Sequence, residues 1–199
     1  MKKKIALLMA MVMLFAVTTA GTLAWLQAKT DPVVNTFTVG NINITLDEAD
    51  VDDTDEDGNV TERDKANEYK MIPGQTYTKD PIVTVKADSE DCYLFVKVIE
   101  LNNTLPGTTD KVIEWTMLET GWTYDATNDV YHRNVALSDT DTPFHLITGD
   151  TIKISESLTK DILEADGFVA PTLTFKACAV QSANVEYSDA VSQALTLMA

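Results

Sequence analysis

The chain is short of the residues on which most catalytic centres are built. Only two histidines, His132 and His145, and two cysteines, Cys92 and Cys178, occur among its 199 residues. No His-Glu-x-x-His places two imidazoles and a general base on one helical face, so that zinc peptidase site is excluded. No Cys-x-x-Cys exists, which removes a thioredoxin-type redox site and a zinc ribbon. The eight glycines are scattered, leaving no Gly-x-Ser-x-Gly elbow, no phosphate-cradling loop and no Gly-x-Gly-x-x-Gly. Basic charge is scarce as well, with 15 Lys and Arg against 31 Asp and Glu. A surface of that sign repels phosphate backbones and anionic lipid, which argues against nucleic-acid binding and against peripheral membrane docking. With so many carboxylates, no particular acid–base pair is selected for glycoside chemistry. A non-enzyme is expected.

What is present begins with an export signal. Lys2, Lys3 and Lys4 precede an apolar stretch from Ile5 to Val17, followed by small residues through Ala24. A charged start, a short apolar core and a small-x-small site make a cleaved signal peptide over residues 1–28, with cutting expected near Ala24. An uncleaved anchor is the alternative, because the uncharged run continues to Ala28. No second apolar run of that length follows. After processing, a secreted or cell-surface protein without stable membrane insertion is expected. Export would permit a disulfide between Cys92 and Cys178. Each cysteine also sits in an apolar, strand-like run where a free thiol behaves as a buried hydrophobe, and both readings stay open.

The body reads as strands. Apolar side chains alternate at Phe37, Val39, Ile42, Ile44 and Leu46, with one interruption at Gly40. Runs rich in β-branched and aromatic residues follow at 82–85, 92–101, 144–147, 151–154 and 171–180. Pro73-Gly74, Asp80-Pro81, Pro106-Gly107 and Gly149-Asp150 mark turns, and Asp125 to Asp129 looks like a hairpin tip. Helical patterns are confined to 61–69, 156–164 and a tail at 188–198 with Val191, Leu195 and Met198 on one face. The expected fold is all-β, a jelly-roll-like β-sandwich with short peripheral helices, in one domain over 29–199 with an acidic insertion at about 47–68.

Within that insertion, Asp53, Asp55, Asp57, Asn59, Thr61 and Asp64 reproduce the oxygen spacing of a calcium loop, and Gly58 supplies its sharp turn. Asp64 at the twelfth position is shorter than the usual glutamate, and no strong helix precedes the loop. A calcium cofactor and a solvated acidic loop are the two readings. His132, between Tyr131 and Arg133 on a hairpin, is expected to be a surface or cross-strand residue. Trp25, Trp115 and Trp122 are expected to anchor packing rather than to form a sugar platform.

Several stretches together resemble the TasA/camelysin family: Gly21-Thr-Leu-Ala-Trp25-Leu, Asn35-Thr-Phe37-Thr-Val39-Gly40-Asn41-Ile42, Ile72-Pro73-Gly74 with Lys79-Asp80-Pro81, Cys92-Tyr93-Leu-Phe-Val-Lys, and Ala177-Cys-Ala-Val-Gln181. The resemblance implies a leader processed by a SipW-type signal peptidase. It further implies a secreted jelly-roll protein of a Gram-positive bacterium that joins with itself, or with a related matrix protein, in fibres of the extracellular biofilm matrix. In fibre-forming members an N-terminal strand completes the sheet of the neighbouring subunit. The matching donor is about 26–37, with Thr30, Val33, Val34 and Phe37 contributing side chains, unless residues 26–46 pair within their own domain. An accessory subunit and a monomeric calcium-binding surface module are the alternatives. The metallo-endopeptidase activity ascribed to camelysins is the remaining, lesser alternative, and for want of a recognisable zinc site it is not carried over onto particular residues.

Overall fold

A computed structural model describes residues 40–51 and 62–199. The chain divides into two units, 1–39 and 40–199, and every element below belongs to the second. The leader, the donor segment and residues 52–61 of the acidic insertion lie outside the described residues.

Among the described residues eleven strands pair, all antiparallel, in three sheets. The first sheet has the order β2 (Arg63–Asp64), β1 (Ile44–Ala49), β4 (Ile82–Val85), β9 (Pro143–His145). The second runs β11 (Thr172–Gln181), β5 (Cys92–Leu101), β8 (Val130–Val135), β7 (Thr123–Asp125). The third is short, with β10 (Thr151–Ile154) between β3 (Thr76–Thr78) and β6 (Ile113–Glu114). Among the described residues two short α-helices, α1 (Lys160–Leu163) and α2 (Tyr187–Leu197), complete the all-β fold.

Period-two patterning decides how these layers stack. Along β5, Cys92, Leu94 and Val96 face the first sheet and pack with Val83, Val85 and Phe144. Phe95, between them in sequence, turns to the opposite face and packs with Cys178, Val130 and the buried Ala190, Val191 and Ala194 of α2. The second sheet is therefore apolar on both faces, one covered by a sheet and the other by the C-terminal helix. A third cluster, centred on Ile152, Ile154, Val112 and Leu158, belongs to the third sheet and α1.

The tail helix forms where its apolar stripe predicts it, and Met198 just beyond it is buried too. The lysine at position 176 closes its end by donating from Nζ to the carbonyls of Met198 and Ala199. The pattern at 156–164 yields one turn only, begun at Thr159, whose side chain accepts from the Ile162 amide. The helix expected over 61–69 is absent among its described residues. Arg63 and Asp64 pair instead with Ala49 and Glu48, and the Arg63 guanidinium binds Asp47 and, at 3.0 Å, Asp80. Long-range pairing overrides a weak local preference.

Candidate functional site

The feature that distinguishes this molecule is an open side of the sandwich. Strand β11 pairs with β5 over its full ten residues, yet among the described residues no strand pairs with its other edge. The Ser182 amide bonds to the Asp91 carbonyl, one step beyond the Gln181–Cys92 pair of the ladder. Hydrogen-bonded pairs alternate in an antiparallel ladder. Even-numbered residues of β11 thus spend their backbone groups on β5, while Leu173, Phe175, Ala177 and Ala179 aim theirs outward.

The facing edge belongs to β1. Lys86 donates its amide to the Asn43 carbonyl, and the same alternation assigns Thr45 and Asp47 to β4. The backbone groups of Ile44 and Leu46 then point away from β4. Strand β2 satisfies that edge only from Glu48 onward. Two edges without a strand partner among the described residues, one from each sheet, therefore flank one side of the same core, into which Ile44, Leu46, Phe175, Ala177 and Ala179 all pack.

Between them lie two adjoining clefts of about 280 and 570 Å³, which share Leu46, Asp47, Asp64 and Lys65; Leu173 and Phe175 line the smaller and Ile44 and Ala177 the larger. At the base of the smaller cleft, Lys79 and Glu48 form a buried ion pair at 2.6 Å. Arg63, which lines the larger cleft, ties Asp47 to Asp80. Burial alone would lower the Arg63 pKa, but its hydrogen bonds to Asp47 and Asp80 carry it above the ordinary value. The Asp80 carboxylate also accepts from the Ala49 amide at 2.6 Å. The cleft wall is thus fixed by charge-assisted bonds.

Of the six residues in the calcium-like pattern, Asp53, Asp55, Asp57, Asn59 and Thr61 lie outside the described residues. Asp64 is exposed at the end of β2, where its carboxylate accepts from the Lys65 amide. Among the described residues no group of His, Cys, Asp and Glu side chains is arranged to hold a metal ion. Thr30, Val33, Val34 and Phe37 also lie outside.

The cysteines are two free, buried thiols. Cys178 faces Phe95, three residues along β5 from Cys92, which is roughly 10 Å of strand. They also point to opposite faces of the sheet, Cys92 into one core and Cys178 into the other. A bridge needs Cα atoms within about 7 Å and Cβ vectors that converge, so the disulfide reading is corrected to the buried-hydrophobe one. Burial pushes both thiols up to about 11, with Asp91 adding to the effect at Cys92.

His132 is cross-strand, opposite Phe95 and Thr123, with its ring 4.7 Å from that of Tyr187. Trp122 is buried, donating Nε1–H to the His145 carbonyl, and Trp115 packs edge-on against Phe175 at 5.7 Å. Trp25 lies outside the described residues. The open side of the sandwich is what sequence reasoning missed, because its two walls come from positions about 130 residues apart.

No family model matches the chain, and neither a curated protein nor a solved structure is similar enough to count as a match.

Proposed function

We propose that this chain is a secreted structural subunit that assembles head to tail by strand donation, the open side of one sandwich taking up the segment of about 26–37 from a second copy. One observation carries the reading: a cleft with Ile44, Leu46, Leu173, Phe175 and Ala177 among its lining, flanked by two sheet edges whose backbone groups lack partners among the described residues. An incoming strand gains hydrogen bonds from the edges, and its alternate side chains gain apolar contacts from the floor. A heterologous contact of this kind does not close on itself and propagates as a filament. The leader-like start and the resemblance to the TasA/camelysin family support an extracellular, biofilm-matrix setting for such a fibre.

The test compares the chain without its leader with a version that also lacks residues 26–37. The longer chain is expected to form filaments by electron microscopy, and the shorter one to stay monomeric in size-exclusion chromatography. A synthetic 26–37 peptide should raise the melting temperature of the shorter chain. A longer chain that stays monomeric at high concentration, or a shorter one that polymerises equally well, overturns the reading.

A further inference from the structure

The inner face of the second sheet is not covered along its whole length. Toward β7 it ends in an open cavity of about 330 Å³ lined by Val98, Glu100, Trp115, Tyr124, Asp129 and Tyr131. Three of the six are aromatic and two are carboxylates. The two tyrosines are direct cross-strand partners, with ring centroids 4.8 Å apart at an interplanar angle of 37°. Tyr124 is half exposed, at 50%, where an unliganded aromatic gains little from packing. Two of the three aromatics are fixed by polar contacts: Trp115 donates Nε1–H to Glu100 at 2.5 Å, and the Tyr124 hydroxyl donates to Asp129 at 2.9 Å.

The charge in the cavity is unevenly matched. Glu100 has Lys111 as its ion-pair partner. Asp129 has only the neutral Tyr124 hydroxyl, and among the described residues no lysine, arginine or histidine pairs with it. An aromatic wall presents the negative face of its quadrupole, and an unmatched carboxylate beside it adds full charge of the same sign. Both favour a cation that is large, weakly hydrated and apolar on its outside.

We infer that Trp115, Tyr124 and Tyr131, together with Asp129 and Glu100, form a binding site for an organic ammonium ion. The rings meet the methyl or methylene groups around the nitrogen, and Asp129 supplies the counter-charge at the rim. The volume exceeds that of a single trimethylammonium group, leaving room for the chain that carries it. The site faces away from α2, on the inner side of the sheet, and its lining comes from β5, the β7–β8 hairpin and the segment after β6, with no residue of the β11 edge among them. It therefore stands or falls independently of strand donation.

Tetramethylammonium chloride titrated into the full chain, with tyrosine and tryptophan fluorescence as the readout, tests the inference against sodium chloride at equal ionic strength. Saturable binding in the millimolar range is expected, and tert-butanol, a neutral molecule of similar shape, should give none. Tyr124→Ala should weaken binding ~10-fold, while Tyr124→Phe, which keeps the ring, should retain it. Asp129 stands at φ 54, a conformation asparagine tolerates, so Asp129→Asn preserves the hairpin and should weaken binding at least threefold. Phosphocholine and Nα-acetyl-lysine amide then rank a headgroup against a lysine side chain as the source of the cation, and saturable competition by either supports the site. Failure of tetramethylammonium to saturate, equal binding of tert-butanol, or an unchanged affinity in folded Asp129→Asn overturns it.

Discussion

Lys79 Nζ lies 2.6 Å from Glu48 Oε2, and both residues are buried, at 7% exposure each. The pair joins β1 to the segment after β3 under the smaller cleft, and the ammonium also sits 5.4 Å from the centre of the Tyr69 ring. Two charges taken out of water at one place hold each other in a way neither tolerates alone. Removing one partner leaves a buried, uncompensated charge, so Glu48→Gln or Lys79→Met alone should cost about 3–5 kcal/mol. Glu48→Met with Lys79→Met should recover most of that loss. Urea unfolding of the two single variants and the double variant measures it, and additive losses would sink the coupling.

The parity of the β11 ladder makes a sharper prediction about assembly. Proline removes an amide hydrogen, which an edge strand tolerates only where that hydrogen faces away from its neighbour. The Ala177 amide points outward, toward the cleft. Ala177→Pro should leave a folded monomer and abolish self-association of the leader-free chain. Thr174 donates inward to β5, and Thr174→Pro, which removes a ladder hydrogen bond and strands its acceptor, should instead destabilise the monomer by about 1–3 kcal/mol. Melting temperature and sedimentation separate the two effects, and an Ala177→Pro protein that still forms filaments excludes the β11 edge as acceptor.

Strands that carry a full apolar alternation were legible from the chain alone. The bounds of β5 and β10 follow directly from Cys92 to Leu101 and Thr151 to Ile154, because buried β-branched and aromatic residues specify both period and length. The stripe of Val191, Leu195 and Met198 likewise announces α2. Strand β3 reads Thr-Tyr-Thr and is mostly exposed, so hydrophobicity gives no sign of it. Strand β2 exists through Glu48 and Ala49, partners that local propensity cannot see. Register is the larger blind spot. Two cysteines in two strands looked equally suited to bonding or to separation, and only the offset of Cys178 from Cys92 decides between them. The open side of the sandwich is hidden for the same reason, since an unpaired edge is a property of the sheet order and not of any one segment.

That offset predicts silent thiols. Each sulfur is buried and titrates at about 11, so almost no thiolate is exposed at neutral pH. Native protein should fail to react with an aromatic disulfide reagent near pH 8, whereas protein in guanidinium should release two equivalents. Its melting temperature should not respond to reductant. A reductant-sensitive melt would require a bridge that this register does not allow.

The last prediction concerns acid. His132 packs between Phe95 and Tyr187, with centroids at 6.1 and 4.7 Å, and its Nδ1 is buried without a hydrogen-bond partner. Burial holds its pKa below the ordinary 6.5, against the opposing pull of Asp125. Asp125 reaches the site from the β7 end, where it accepts from the Tyr187 hydroxyl at 3.0 Å, so a proton on His132 meets one carboxylate and two aromatic rings. The unfolded chain takes up a proton at 6.5 that the native state resists. The stability contributed by neutral His132 is therefore present above that pH and is lost as pH falls toward the lower folded value. The carboxylates of Glu100 and Asp125 act further down. Both are held below their ordinary values by hydrogen bonds, although burial works against them, and their contribution is present above 4.5 and 3.8 and lost at lower pH. The window from about pH 6.5 to 5 thus lies above these carboxylate transitions, and the comparison with a variant at position 132 assigns the change within it. His132→Phe keeps an aromatic ring between Phe95 and Tyr187 and removes the titration. Urea midpoints of the natural chain should fall more steeply across that window than those of the variant, and parallel profiles would show that the buried imidazole carries none of the acid sensitivity.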